Sequence, residues 1–111
     1  MALLACGPAA DPGPRLRIAV APTPPTLGEG RVIVRVTPDS LPVSGGTVRG
    51  RPMEEERLRP PHTAEPSGPG AVAVPAFPFD QPGEWRLVAE VALSDGRVLR
   101  DSTDVRVVGA P

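Results

Sequence analysis

The sequence predicts an all-β fold, a sandwich of two antiparallel sheets, from three observations. Valine-rich segments alternate between apolar and polar residues with a period of two, which is typical of strands with one buried face. Most of the 17 prolines and 12 glycines fall between or at the ends of those segments, where they favour turns and strand edges. No stretch predicts a helix of more than one turn. Six or seven short strands separated by such turns favour a sandwich.

The first two strands are predicted at residues 15–21 and 31–37, with a proline- and glycine-rich turn between them. Apolar side chains occupy one face of each strand, and arginines alternate with them on the other. Arg15 and Arg17 therefore point outward from the first strand, as do Arg31 and Arg35 from the second.

The middle of the chain is less regular. We expect a short edge piece at residues 41–43, a turn at Gly45-Gly46 and a third strand at 46–50. Residues 51–70 read as one long loop that is either functional or mobile, because the alternation disappears there. The next strand is predicted at 71–75, and Pro75 and Pro78 should confine the stretch to an edge or break it.

The last two strands, 84–93 and 97–108, form the cleanest pattern and predict a hairpin. A two-residue loop would place Val91 opposite Arg100, whereas a three-residue loop with Gly96 in the left-handed conformation places Val91 opposite Leu99. The three-residue register pairs apolar with apolar and positive with negative side chains, so it is the prediction. Its other pairs are Leu87–Thr103, Trp85–Val105, Glu90–Arg100, Arg86–Asp104 and the unfavourable inward Asp101–Ala89, which a bulge or an edge position would accommodate.

The predicted core gathers around Trp85, whose place in the alternation puts it on the inner face. The other side chains expected to be buried are Leu16, Ile18, Val32, Val34, Val36, Val48, Val72, Leu87 and Val91. A chain of 111 residues is the length of one domain, which supplies one thin core but no deep enclosed active site. The net charge of −1 gives no indication of a nucleic-acid partner.

The amino terminus reads Met1-Ala-Leu-Leu-Ala-Cys6-Gly, and its Leu-Leu-Ala-Cys resembles the lipobox of bacterial lipoproteins. The resemblance implies cleavage before Cys6 and lipidation of its thiol. A Gly-, Pro- and Ala-rich tether follows, so residues 1–14 are interpreted as lipobox remnant and tether. Only five residues precede Cys6, fewer than a secretory signal needs, so an incidental cysteine is the alternative.

The stretch from Phe77 to Val88, with its Phe…Gly-x-Trp-x-Leu pattern, resembles YtkA-like domains. These are small immunoglobulin-like domains of bacterial envelope proteins. The resemblance implies an immunoglobulin-like sandwich over residues 15–109 and an extracytoplasmic, periplasmic location.

Copper or other cation handling is also what this resemblance implies, with Met53 and His62 as the candidate metal ligands. A copper(I) site usually needs three or more soft ligands, and this loop offers two. Packing at a strand end is the alternative for Met53, and solvation in a loop is the alternative for His62. Glu54-Glu55-Glu56 could bind a hard cation, or could simply solvate the loop.

No catalytic constellation is apparent, because the chain has one histidine and one cysteine and lacks Gly-x-Ser-x-Gly, Cys-x-x-Cys and phosphate-loop motifs. We expect a non-enzymatic, envelope-tethered module with a structural or protein-interaction role and no resident cofactor. Its expected partners are the membrane, through the lipid at Cys6, and another envelope protein, with no nucleic acid. A copper-handling accessory protein is the alternative.

Overall fold

A computed structural model describes residues 13–109, and seven β-strands with no helix occur in that range. The predicted all-β fold class is therefore confirmed. No segment of that range is a helix long and apolar enough to cross a membrane. Residues 1–12, with Cys6 and most of the predicted tether, lie outside the described residues, as do residues 110–111. The strands are β1 (Arg15–Ala21), β2 (Gly28–Thr37), β3 (Val43–Pro52), β4 (His62–Pro66), β5 (Ala71–Phe79), β6 (Gly83–Leu93) and β7 (Val98–Val107).

The strands follow the order β1-β2-β5-β4-β3-β6-β7, and all neighbours are antiparallel. β4 joins the two halves, because His62–Ala64 pair with β3 while Glu65 and Pro66 pair with β5. The sheet β1-β2-β5 thus faces the sheet β3-β6-β7 across the core. The result is a sandwich that curls towards a barrel.

The core lies between the inner faces of these two sheets. Trp85 is 0% exposed, and Phe77 and Phe79 pack against it edge-on. Every residue of the predicted core is buried except Ile18, which is only half-buried. Ile18 differs because β1 is paired on one side only, so its inner face is open along the free edge.

The β6–β7 hairpin has the predicted three-residue register. Val91 lies opposite Leu99 and Trp85 opposite Val105, and Gly96 has a φ of +96°. Val105 is half-buried rather than fully buried. Asp101 lies opposite Ala89 as expected, and it is exposed because β7 is an edge strand.

The prediction of one long loop at residues 51–70 is wrong, because β4 lies within it. Its inward positions are His62 and Ala64, which are polar or small, so the segment carries no large apolar alternation. The next strand is longer than the predicted 71–75, because Pro75 and Pro78 do not break it; of the two predicted effects, the edge position is the one the structure has. β5 continues to Phe79, with an irregularity opposite the Gly30–Val32 stretch of β2. β4 pairs with β5 only at Val72 and Ala73. Pro75 and Pro78 therefore lie where that edge of β5 has no partner strand.

Gly45 and Gly46 form no turn between strands, contrary to the prediction, because β3 already begins at Val43. The register shifts between Val43 and Gly45, so the glycines mark an irregularity within the strand. A Cβ on Gly46 would collide with the carbonyl oxygen of Glu90 on β6. Glycine is thus required there by the close approach of two strands.

Candidate functional site

Residues 53–61, which connect β3 to β4 and are called the β3–β4 segment below, fold back onto the end of the sandwich. The Arg59 N–H donates to the Gly50 carbonyl oxygen at 2.9 Å, and Arg49 Nε donates to the Arg59 carbonyl oxygen at 3.0 Å. Arg51 reaches the carbonyl oxygen of Glu55 at 2.6 Å. These hydrogen bonds, together with the one from the Glu55 N–H to the Pro52 carbonyl oxygen at 2.9 Å, tie the segment to β3.

Arg59 is the centre of this arrangement. Its guanidinium carbon lies 5.0 Å from the ring centroid of Trp85, a cation–π contact. It also bridges two carboxylates, with Nη2 2.7 Å from Glu55 and Nη1 2.8 Å from Asp80. The side chain is 27% exposed, so these contacts are partly shielded from water. One side chain thus links the β3–β4 segment, the β5–β6 connection and the core.

The charges of this cluster support each other electrostatically. The pKa of Glu55 is held below its ordinary value because its carboxylate accepts hydrogen bonds from Arg59. The same hydrogen bond, with the one to Asp80, raises the pKa of the Arg59 guanidinium. Glu55 and Arg59 are therefore both charged at neutral pH, which keeps their ion pair intact across the physiological range.

Aromatic side chains of the core lie on the inner side of this cluster. Trp85 Nε1 donates to the Gln81 carbonyl oxygen at 2.9 Å, which fixes the indole and satisfies its only donor. The His62 ring lies 4.9 Å from that of Phe77, centroid to centroid, and is half-buried. His62 is therefore a packed strand residue and not a solvated loop histidine.

The two candidate metal ligands are not brought together. His62 lies opposite Val48 on β3, whereas Met53 follows Pro52 at the end of that strand, where its N–H donates to the Glu84 carbonyl oxygen. Five residues of extended chain, or about 16 Å, separate the level of Val48 from Met53. The two residues therefore lie at different levels of the sheet, and metal binding at either stays a prediction.

The three consecutive glutamates also diverge. Glu55 points to Arg59 and is half-buried, while Glu54 and Glu56 are exposed. Within residues 13–109, no group of three or more His, Cys, Asp or Glu side chains is arranged to hold a metal ion. The predicted lipidation residue, Cys6, lies outside the described residues.

The segment presents a defined outer surface. Met53 is 39% exposed, and the side chains of Glu54, Glu56 and Arg57 face solvent. Sequence reasoning did not single out Arg59 or Asp80, because their meeting depends on β4 and on the β5–β6 connection. The sequence gives only a weak indication of the Arg59–Glu55 pair, which is the spacing of four residues in a segment rich in glutamate.

Seven antiparallel strands in two facing sheets define an immunoglobulin-like β-sandwich. Among solved structures, the chain is similar to the crystal structure of CopC from Methylosinus trichosporium OB3b. The two share 14% sequence identity with a TM-score of 0.63, and the match covers 89% of this chain and 97% of that chain. At this identity the likeness shows a CopC-like fold. No protein-family model and no curated protein matches the chain. The immunoglobulin-like fold that the resemblance implied is confirmed, and the YtkA-like family itself stays a prediction.

Proposed function

We propose that this domain is a non-enzymatic, envelope-tethered module that recognises another envelope protein through the β3–β4 segment. The observation that carries the proposal is the Arg59 link, which holds the segment in one shape while Met53, Glu54, Glu56 and Arg57 face outward. A loop fixed in advance loses less entropy on binding, and binding residues commonly lie on loops positioned by a rigid scaffold.

The proposed location is the extracytoplasmic face of a bacterial membrane. The lipobox-like Leu-Leu-Ala-Cys6 supports it, as does the Gly- and Pro-rich stretch between Cys6 and the start of β1 at Arg15. Membership of the YtkA-like family is part of this proposal, and the immunoglobulin-like fold agrees with it. The lipid at Cys6 would supply the membrane contact.

Copper handling is the second candidate, and the CopC-like fold favours it. The described residues do not fit a copper site by themselves, because Met53 and His62 lie apart and no cluster of other ligands accompanies them. We therefore place this candidate behind protein recognition.

Site-specific photocrosslinking in cells tests the recognition surface. A photoreactive residue at Glu56 should give one defined crosslinked species, and the same probe at Ser40, in the β2–β3 connection at the opposite end of β3, should not. Arg59→Ala in the Glu56 protein should abolish the species, because the segment loses its link. Equal crosslinking from both positions, or none from Glu56, would contradict the proposal.

Copper titration of the purified chain separates the two candidates. If the domain acts by protein recognition, the wild-type chain should show no copper(I) binding that depends on His62. A stoichiometric copper complex of the wild type that His62→Ala abolishes would move the proposal to copper handling.

A further inference from the structure

Four arginines share the outer face of the β1-β2-β5 sheet, which is called the basic face below. Arg15 and Arg17 lie on β1, and Arg31 and Arg35 on β2; all four are exposed. The register places Arg17 directly opposite Arg35. Two exposed glutamates, Glu29 on β2 and Glu65 beside Ala73 of β5, lie on the same face, so four positive charges stand against two negative ones there.

The ion pairs of residues 13–109 involve other arginines. On the outer face of the opposite sheet, Arg86 pairs with Asp104 at 2.9 Å and Arg106 with Glu84 at 3.1 Å. None of the four arginines on the basic face lies within 4.0 Å of a carboxylate of the described residues. Like charges directly across two strands destabilise a sheet, so the fold itself gains nothing from the Arg17–Arg35 pair.

The basic face extends over three strands. Arg31 and Arg35 are four residues apart on β2, or about 13 Å along the strand. The row Ala19, Ile33 and Ala73 crosses the three strands between them. Ala73 is buried and Ile33 half-buried, and the row ends at exposed Glu65 on β4. This spacing suits several anionic groups in a plane better than one anion in a pocket.

We propose that the basic face docks on the anionic phospholipid headgroups of the membrane that carries the anchor. The inference rests on the proposed function for the presence of that membrane. Nine residue steps join Cys6 to Arg15, which span at most about 30 Å when extended and about 17 Å as a flexible coil. β1, which bears Arg15 and Arg17, directly follows the tether, so a lipid at Cys6 would hold these side chains close to the bilayer.

Vesicle co-sedimentation of the full chain with Cys6→Ser, which cannot be lipidated, tests the basic face alone. The protein should bind vesicles of phosphatidylglycerol and phosphatidylcholine and not vesicles of phosphatidylcholine. Each basic residue near an anionic surface contributes about fivefold in affinity. Arg17→Gln/Arg35→Gln should therefore weaken binding about 25-fold. Raising the salt from about 0.1 M to about 1 M shortens the Debye length from about 10 Å to about 3 Å and should release the protein.

The matched control is Arg86→Gln/Arg106→Gln, which removes the same charge from the opposite sheet and should leave binding unchanged. Circular dichroism checks that both double variants are folded. Equal loss in the two variants, binding to phosphatidylcholine alone, or equally tight binding of a single-stranded oligonucleotide would overturn the proposal. The anchor is tested separately, by incorporation of labelled palmitate at Cys6 in a bacterial host, so its failure is distinguishable from failure of the basic face.

Discussion

Arg59→Ala removes a contact with the Trp85 ring and two ion pairs at once. The variant loses a cation–π contact, worth about 0.5–1 kcal/mol at a partly exposed site. It also loses two ion pairs, to Glu55 and Asp80, worth about 0–1 kcal/mol each because both carboxylates are substantially exposed. The sum is about 2 kcal/mol, which for a domain of this size lowers Tm by about 10 °C.

Urea and thermal unfolding followed by circular dichroism measure this loss. Fluorescence gives a local readout, because Trp85 is the chain's one tryptophan and its emission should shift to longer wavelength when Arg59 no longer covers the ring. Arg57→Ala is the matched control, since Arg57 is exposed in the same segment. A free energy of unfolding within about 0.3 kcal/mol of that of Arg57→Ala, with unshifted emission, would refute the reasoning.

Three further outcomes follow from the same structure. Gly96→Val should lower the urea midpoint by an amount equivalent to about 1–3 kcal/mol, because its φ of +96° strains a β-branched residue although the site has room for the side chain; an unchanged midpoint would count against the turn. Arg35→Glu should raise Tm, since it converts a repulsive pair with Arg17 into an attractive one worth about 0.2–1 kcal/mol, and a lower Tm would show that Arg35 has another role. The pKa of Glu55 is lowered in the fold, so its contribution to stability is present above pH 4.5, its ordinary pKa, and is lost as the pH falls below that value. Glu55→Gln should therefore flatten the acidic part of the profile of Tm against pH. An unaltered profile would contradict the pairing of Glu55 with Arg59.

The β6–β7 hairpin could be predicted in detail because several kinds of information agreed there. A one-residue slip would move Trp85, Leu87 and Val91 from the core to solvent, so burial alone selects the register. The charged pairs on the outer face, such as Arg86 with Asp104, point the same way. The glycine at the left-handed position then completes the loop.

β4 could not be predicted because its pairing is non-local. Its residues have little apolar content, and three of its backbone partners lie on β3, about 15 positions earlier in the chain. β5 was predicted too short because the effect of a proline depends on which edge of the strand is paired. That information exists only once β4 is in place.

The Arg59 link was missed for the same reason. Arg57 and Arg59 look equivalent in the sequence, and only the path of the chain into β4 brings one of them over Trp85. The basic face was closer to being predictable, since each of its arginines was correctly expected to point outward. The net charge of the whole chain gave no indication that the pairing of β1 with β2 brings these arginines together.

Amide hydrogen exchange in the full chain tests the central claim, that the β3–β4 segment is held in one shape before any partner binds. The amides of Met53, Glu55 and Arg59 donate to Glu84, Pro52 and Gly50, respectively. They should exchange slowly, and Arg59→Ala should accelerate Glu55 exchange far more than that of Leu87 in β6. Wild-type exchange of these three amides as fast as that of an unstructured peptide would contradict the account.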